Sequence, residues 1–437
     1  MRDRGQRDRR SNAGRLLRRV ALDVSPLRDS RDFRLLMLGQ AVSTLGTQVA
    51  LVALPTQIFL LSHSAALVGL LGAFELGPMI VASLLGGAIA DRSDRRKVLI
   101  AAQLGVILSA SLLALVTLSG RPPALVIMVI GGLLAGSSSL DSVTRAAIIP
   151  RIVPDRRLRS ALAFNYGTYQ AAGIIGPAIG GVLIAALGIG AGYLIDAGSC
   201  LAMALAAVAL SPQPPQRAAQ SGTASPPRIL HSIAEGLRFV RRTQVLAGSF
   251  AIDLVAMTFG WPRAMFAVLS LTVYHAGTRG TGLLFAALAV GGTLSVLTAG
   301  WIEHARRLGR ITIVVVLVWG AAIAGTGLVS SLAPAMVLLA IAGFADGVSA
   351  VCRSSINQTV TPDALRGRMS ATYNLVVTGG PRLGDIESGL VAGLTSAATS
   401  VVSGGIACIL GAGLIMVMFP ALDRYGRWTD RGDGAAP

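Results

Sequence analysis

Charged residues are scarce in this 437-residue sequence. Asp, Glu, Lys and Arg make up 14% of it and hydrophobic residues 53%, whereas a soluble domain carries about 25% charged residues. Long stretches contain no charged residue at all, namely 35–74, 98–120, 160–195, 280–302, 311–345 and 388–422. Because a transmembrane helix needs roughly 20 apolar residues, the longer stretches predict pairs of membrane-spanning helices joined by short polar turns. The composition excludes a soluble globular domain.

Several kinds of chemistry are also missing from the sequence. The cysteines Cys200, Cys352 and Cys408 lie in apolar stretches without metal-ligand spacing, so neither a disulfide framework nor a metal site is expected. The sequence has no His-Glu-x-x-His, no Gly-x-Ser-x-Gly and no P-loop, which disfavours an enzyme and direct drive by ATP. The alternating strands of membrane β-barrels are absent as well. We expect an all-α, polytopic membrane protein without a cofactor.

The net charge of +17 is distributed unevenly along the chain. Apart from the basic N-terminal tail, arginines concentrate in alternate connectors, near residues 92–97, 151–159, 217–242, 306–310 and 366–368, whereas the opposite connectors hold only Arg121 and Arg279. Cytoplasmic connectors carry the excess of Lys and Arg. We therefore expect an inner-membrane protein with both termini cytoplasmic, and a lipid bilayer rather than nucleic acid as its partner.

The alternation of apolar stretches and polar breaks predicts twelve spans, six on each side of a polar connector. These predicted spans cover 34–61, 65–90, 98–119, 124–149, 160–187, 190–210, 245–274, 280–302, 311–330, 334–358, 369–396 and 400–420. The expected domains are a basic tail (1–32), an N-terminal bundle (33–210), a linker (211–244), a C-terminal bundle (245–420) and a second tail (421–437). Two similar bundles joined by a hinge can rock against each other.

The linker has two parts. Residues 211–227 are rich in proline and poor in apolar side chains, which indicates a flexible segment. After them Ile229, Ile233, Leu237 and Val240 recur at helical spacing among polar residues. This pattern predicts an amphipathic helix on the inner membrane surface.

A cluster of charged residues separates predicted spans 2 and 3, in the stretch GGAIADRSDRRK (86–97). It resembles the loop motif of the major facilitator superfamily, with Asp94 at a position where that family usually has glycine. The resemblance implies a fold of twelve spans in two six-helix bundles. It also implies a gating motif, to which we add Asp141 and Arg145 of span 4, so that the set is Gly87, Asp91, Arg92, Arg95, Arg96, Asp141 and Arg145. An aspartate at the membrane edge is stabilised by the positive N-terminus of another helix, which in relatives is span 11; the alternative is that these charges only fix topology.

Longer segments resemble one branch of this superfamily. Residues 33–55, 68–97, 235–242 and 365–389 are similar to the enterobactin-exporter branch, which is itself similar to macrolide and drug efflux pumps. Drug pumps often carry an acidic residue after the glycine equivalent to Gly46, and here that position is Thr47.

Predicted span 5 contains the stretch GIIGPAIGG (173–181). It resembles a Gly-Pro motif of antiporters in the same superfamily, through Gly173, Gly176, Pro177, Gly180 and Gly181. Close helix packing through Gly176 and Gly180 is the simpler interpretation, and it holds in either case.

Ionisable residues inside a membrane are costly, so each one is a candidate functional residue. Buried carboxylates suit proton coupling, and arginines suit anionic ligands such as a catecholate or hydroxamate, although a salt bridge explains either type equally well. A polar stripe on span 1 adds a polar lining, because spans 1, 4, 7 and 10 face the central cavity in relatives. The candidates are Glu75, Asp253, Arg263, Asp346, Arg382 and Asp385, with Gln40, Thr44 and Gln48 as the stripe.

The sequence therefore predicts a secondary active transporter. We expect a monomeric, proton-coupled exporter of a siderophore-like small molecule that works by alternating access. The alternative within this class is a broad-specificity, macrolide-type multidrug efflux pump. A membrane-embedded enzyme and a channel are the competing classes. The enzyme lacks a catalytic motif, and a layout of two bundles with a basic gating loop suits alternating access better than a channel.

Overall fold

The computed structural model describes residues 25–214, 229–362 and 365–426, and these residues form helices and connecting loops without a strand. Eleven helical stretches are long and apolar enough to cross a membrane. A further helix, Arg366–Leu394, has 29 residues but carries Arg382, Asp385 and Glu387 in its second half. With this helix the chain has the twelve spans that the sequence predicts, and it is a multi-pass membrane protein.

The spans are numbered here in chain order. Their bounds are Arg31–Ser62 (span 1), Ala65–Arg92 (span 2), Arg95–Leu118 (span 3), Ala124–Ile152 (span 4), Leu158–Leu187 (span 5), Ile189–Ala209 (span 6), Gln244–Phe259 with Ala264–Thr272 (span 7), Gly277–Thr298 (span 8), Leu308–Leu328 (span 9), Leu332–Val360 (span 10), Arg366–Leu394 (span 11) and Ala397–Met418 (span 12). The predicted bounds agree within a few residues, except that span 7, expected as one helix, is broken at residues 260–263.

Shorter helices lie between and beside the spans. They are Ser25–Asp29, Ile229–Arg242 and Pro420–Arg424, with 3-10 turns at Asp155–Arg157 and Ala299–His304. The helix Ile229–Arg242, called the linker helix below, occupies the stretch where the sequence predicts an amphipathic helix. It packs against span 11 and the start of span 7.

Polar caps mark several helix starts. The side chains of Ser30, Ser64 and Ser396 accept hydrogen bonds from the backbone N–H groups three residues ahead, which satisfies donors that have no partner within the helix. Asp94 does the same for span 3, accepting from the N–H of Arg96 at 2.9 Å. These caps separate long apolar runs into individual helices.

The spans form two six-helix bundles. In the first, span 1 packs against spans 5 and 6, span 2 against span 4, and span 3 against spans 4 and 6. In the second, span 7 packs against spans 11 and 12, span 8 against span 10, and span 9 against spans 10 and 12. Spans 2 and 11 and spans 5 and 8 join the bundles.

Because consecutive spans run in opposite directions, the molecule has two distinct ends. We call the end with the loop at residues 93–94 the basic end, and the end with the loop at residues 63–64 the short-loop end. Spans 2 and 11 touch from Ala66 and Gly393, near the short-loop end, to Leu76 and Gly379. The bundles are therefore closed against each other at the short-loop end.

Candidate functional site

A break in span 7 determines the geometry of the site. Pro262 has no backbone N–H and disfavours a helical conformation at Trp261, so the first helix of span 7 ends at Phe259 and the second begins at Ala264. The indole N–H of Trp319 donates to the buried carbonyl of Gly260 at 2.7 Å. The side chain of Trp319 also packs edge-on against Trp261, with ring centroids 5.4 Å apart. The break is thus a structured element held by span 9.

Span 11 passes directly along this break. A Cβ on Gly384 would clash with the carbonyl oxygen of Met257 and would lie 3.0 Å from that of Thr258, so only glycine allows this approach. At the next residue of span 11, a carboxylate oxygen of Asp385 accepts a hydrogen bond from the N–H of Ala264 at 2.9 Å. Asp385 therefore caps the second helix of span 7, where a negative charge is stabilised by the helix dipole.

Four ionisable residues meet at the break and form what we call the Glu75 cluster: Glu75, Arg263, Arg382 and Asp385. A guanidinium nitrogen of Arg382 lies 2.7 Å from Glu75 and 3.5 Å from Asp385. The guanidinium of Arg263 lies 5.6 Å from the ring centroid of Trp261, in range of a cation–π interaction. The cluster joins span 2 of the first bundle to spans 7 and 11 of the second.

The Glu75 cluster lines a cavity between the bundles. Apolar residues of spans 1, 2 and 8 complete the wall, among them Leu51, Leu54, Leu71 and Phe285. The formal charges of the cluster cancel, because two carboxylates face two guanidiniums. The cavity has a volume of about 40 Å³, room for a few water molecules, so in this state it is a small pocket with convergent charged groups and not a formed site for a drug-sized molecule.

A second group of charged residues, the Arg353 cluster, lies within the second bundle. Arg353 of span 10 is 2.9 Å from Asp253 of span 7 and 3.9 Å from Asp346, and it donates to Ser349 at 2.6 Å. The side chains of Arg353 and Asp253 are 2% exposed, whereas that of Asp346 is 22% exposed. Two carboxylates share one guanidinium here, so this cluster keeps one formal negative charge when both acids are ionised.

A third group lies within the first bundle. Asp141 forms an ion pair with Arg145, one turn further along span 4, and accepts a hydrogen bond from Gln103 of span 3 at 2.7 Å. The described partners of the pair lie within spans 3 and 4, and its expected place in the gating motif stays a prediction because the side chains of Gly87 and Asp91 lie outside the described residues. The pair packs two helices of one bundle together.

The basic loop is described only in part. Arg95 donates to the carbonyl of Ala147 in span 4 at 2.6 Å, Arg96 donates to the carbonyl of Val208, and Arg92 is exposed. Gly87 and Asp91 lie outside the residues whose side chains the structure describes, so the expected contact of Asp91 with span 11 remains a prediction.

The polar stripe of span 1 lies against span 5, and its expected part in a polar lining of the central cavity stays a prediction. Gln40 is buried and donates to Asn165 of span 5 at 2.7 Å. Thr44 is buried as well, and Gln48 lies against Gly176. The stripe therefore joins spans 1 and 5 within the bundle.

The glycine-rich motif of span 5 contacts both bundles. Gly173 and Gly176 face Gln48 of span 1, and Gly180 faces Val49 of the same span. Gly181 approaches span 8, where a Cβ would lie 2.6 Å from the carbonyl oxygen of Thr278 and 3.1 Å from the Cα of Gly282. The carbonyl of Pro177 faces Gly282. The motif is thus part of the contact that closes the short-loop end.

Sequence reasoning missed several partners of the charged residues. Gln103 and Ser349 are ordinary polar residues in apolar runs, and nothing in their spacing indicates their role. The break at Trp261 did have a signal, because Gly260 and Pro262 are both helix breakers. The position where drug pumps often carry an acid is Thr47 in this chain. Thr47 donates to Asp196 of span 6 at 3.2 Å, so the acid near this position belongs to another helix.

Known proteins give an independent comparison. A family model described as Major Facilitator Superfamily matches residues 36–385. The enterobactin exporter EntS of Citrobacter koseri is 28% identical over 417 residues, covering 95% of this chain and 98% of that protein. The enterobactin exporter EntS of Shigella boydii is 28% identical over 400 residues, covering 91% and 94%.

Solved structures are similar over nearly the whole chain. The nucleoside transporter NupG superposes with a TM-score of 0.67 at 15% identity, covering 90% of this chain and 100% of that one. A bacterial homologue of the human lysosomal transporter Spinster, in an inward-facing and unoccupied conformation, gives a TM-score of 0.69 at 15% identity, covering 91% and 98%. At these identities the likeness shows the fold alone.

Proposed function

The chain belongs to the Major Facilitator Superfamily, and from this membership we propose that it exports a siderophore-like small molecule in exchange for protons, by alternating access. The observation that carries the proposal is the similarity to enterobactin exporters along 95% of the chain. Residues 33–210 and residues 245–420 are proposed as the two units that rock against each other, with 211–244 as their linker. The protein is proposed to work as a monomer and to have no enzymatic activity.

The proposed orientation follows from the charge distribution. Both termini and the basic end are cytoplasmic, in the inner membrane, because that end carries the excess of arginine. In this orientation the contact between spans 2 and 11 closes the outer side, and the two bundles are proposed to separate toward the cytoplasm. An exporter loads its substrate from the cytoplasm in this state.

The Glu75 cluster is proposed as part of the substrate route. Siderophores bind iron through oxygen groups such as catecholates and hydroxamates, which carry acidic protons and negative charge. Arg263, together with the ring of Trp261, presents a cation and an aromatic face beside an apolar cavity. Because Arg382 is engaged by two carboxylates, Arg263 is the better candidate to meet an anionic group of the substrate.

The Arg353 cluster is proposed as the proton site. It carries one carboxylate more than it has guanidiniums, and a proton on that carboxylate would make the cluster neutral. Asp346 is the better candidate, because it lies farther from Arg353 than Asp253 does and its side chain is more exposed. Tyr166 of span 5, in the opposite bundle, lies within electrostatic range of Asp346, which supports a position beside the central space between the bundles.

The gating role of Gly87, Asp91, Arg92, Arg95 and Arg96 stays part of the proposal. In the cytoplasm-facing state Arg95 and Arg96 bind carbonyl groups of their own bundle. The alternate state would bring the loop to span 11, where Asp91 would lie near a helix N-terminus.

Siderophore secretion by cells tests this function. A strain that makes a catecholate siderophore and lacks its own exporter should regain secretion when it expresses the wild-type chain, and should not regain it with Arg263→Gln. The amount of inserted protein must be equal in both strains. If the wild-type chain does not restore siderophore secretion but does export unrelated cationic dyes, the result would contradict siderophore export and support a multidrug pump.

A further inference from the structure

The linker helix carries an unpartnered basic face. Arg238, Arg241 and Arg242 are exposed, and no ion pair joins them to an acid within the described residues. The opposite side of the helix is held by the protein, since Gly236 is buried and Val240 is 3% exposed. The helix is thus fixed in place with its arginines pointing away from the bundle.

An apolar side chain lies among these arginines. Leu237 is 47% exposed, and it shares a cleft with Arg238, Arg241 and Arg242. Residues four apart lie on one helix face, so Leu237 and Arg241 form one row and Arg238 and Arg242 form the adjacent row. A partner that fits this cleft has both an anionic group and an apolar part.

The arrangement favours an anionic partner on electrostatic grounds. Like charges at positions i and i+4 repel each other, and Arg238 and Arg242 are such a pair. An anion between the rows would remove this repulsion and would accept charge-assisted hydrogen bonds from the guanidiniums. The position of the cleft then decides which anion is available.

The linker helix lies at the boundary between membrane and water. It ends at Arg242, and after Thr243 the chain enters span 7 at Gln244. It also packs against span 11 at the basic end. Basic residues on an amphipathic helix at this depth bind anionic lipid headgroups.

We propose that the cleft formed by Leu237, Arg238, Arg241 and Arg242 binds the headgroup of an anionic phospholipid, with the phosphate on the arginines and an acyl chain against Leu237. The lipid would fix the linker helix to the bilayer and to span 11, beside the hinge between the bundles. This binding site is separate from the substrate route.

Lipid-dependent stabilisation of the purified full-length protein tests the proposal. The melting temperature in detergent is measured during titration with phosphatidylglycerol, with phosphatidylethanolamine as the zwitterionic reference that carries no net charge. We expect Arg238→Gln/Arg242→Gln to raise the phosphatidylglycerol concentration at half-effect roughly tenfold or more. Leu237→Ser should raise it by a smaller factor, because it removes only the apolar contact.

Arg306→Gln/Arg307→Gln is the matched control, since it removes two exposed arginines from another loop of the basic end. It should leave the titration within about twofold of wild type. If the half-effect concentration rises as much in this control as in Arg238→Gln/Arg242→Gln, the lipid is attracted to the basic surface in general, and the proposed site is overturned. Equal stabilisation by inorganic phosphate, or by phosphatidylethanolamine, would overturn the choice of an anionic lipid.

The site remains testable if the double variant does not fold. Arg241→Gln alone removes one guanidinium from the cleft and should raise the half-effect concentration about fivefold. If the half-effect concentration for this variant equals that of the wild-type protein, the proposal is contradicted. None of these readouts depends on transport, so the result is independent of the substrate and of the coupling ion.

Discussion

Arg382 lies between two carboxylates, at 2.7 Å from Glu75 and 3.5 Å from Asp385. The second carboxylate has another task, because Asp385 also accepts the N–H of Ala264 at the start of the second helix of span 7. Removing one member of a buried ion pair leaves the other charge without compensation. At the residue scale, the Glu75 cluster is therefore expected to respond to its net charge more than to any single contact.

Substitution of Asp385 tests this dependence on net charge. Asp385→Asn keeps an oxygen that can cap Ala264 but leaves two guanidiniums facing one carboxylate. We expect a loss of up to about 3 kcal/mol in stability, less than for an isolated pair because Glu75 still binds Arg382. Arg382→Gln in the same chain restores neutrality and should recover part of the loss. Thermal unfolding in detergent measures both, and a double variant less stable than Asp385→Asn would contradict a charge-neutral cluster.

The Arg353 cluster offers a matched pair of substitutions. Asp346→Asn should abolish the dependence of transport on a pH gradient. It should leave the melting temperature close to that of wild type, because Asp346 comes no closer to Arg353 than 3.9 Å and is partly exposed. Asp253→Asn should instead lower the melting temperature, because Asp253 is the close partner at 2.9 Å. Siderophore flux in vesicles at several imposed gradients measures the first effect. Gradient-driven flux by Asp346→Asn at the wild-type rate would eliminate Asp346 as the proton carrier.

At the scale of elements, the contact between spans 2 and 11 depends on glycine. A Cβ on Gly69 would lie 2.9 Å from the backbone nitrogen of Gly389, closer than packed atoms allow. The same holds on span 5, where Gly181 approaches Gly282 of span 8. These two contacts are the most extensive between the bundles, so we expect them to control whether the short-loop end can close.

A larger residue at this contact should hold the short-loop end open. Gly69→Leu is expected to block transport and to make a cysteine at Leu54, in the wall of the cavity, react faster with a membrane-impermeant maleimide from the short-loop side. Gly77→Leu in the same helix is the control, because a Cβ there meets open space, and it should retain transport. Equal labelling rates in the two variants would show that the glycine contact does not control closure.

The sequence was informative about elements and much less about contacts between them. Long charge-free runs are a direct consequence of the bilayer, so the twelve spans followed from composition, and Glu75, Arg382 and Asp385 were found as candidates because they are ionisable residues inside predicted spans. The partnership of Arg353 with Asp253 joins residues one hundred positions apart, and no local pattern encodes it. The break at Gly260 and Pro262 was missed because the apolar run continues through it, and hydropathy does not register the loss of a backbone donor.

At the scale of the whole molecule, orientation is the first testable property. The excess of arginine at the basic end predicts that this end faces the cytoplasm. A single cysteine at Arg307 should therefore react with an impermeant maleimide only after the cells are opened, and one at Arg121 should react in intact cells. Labelling of Arg307→Cys in intact cells would contradict the proposed orientation and would reverse the direction of the transport cycle derived from it.

Flux driven by a proton gradient tests the central claim most directly. The purified wild-type protein is reconstituted into liposomes, a catecholate siderophore is supplied at the same concentration on both sides, and a pH gradient is imposed. An exporter that exchanges protons for siderophore must move the siderophore toward the acidic side, against the concentration difference that develops, and must stop when an uncoupler dissipates the gradient. We predict accumulation on the acidic side with wild type and none with empty liposomes. Equilibration without accumulation, or accumulation that persists after the gradient has been dissipated, would contradict proton-coupled export.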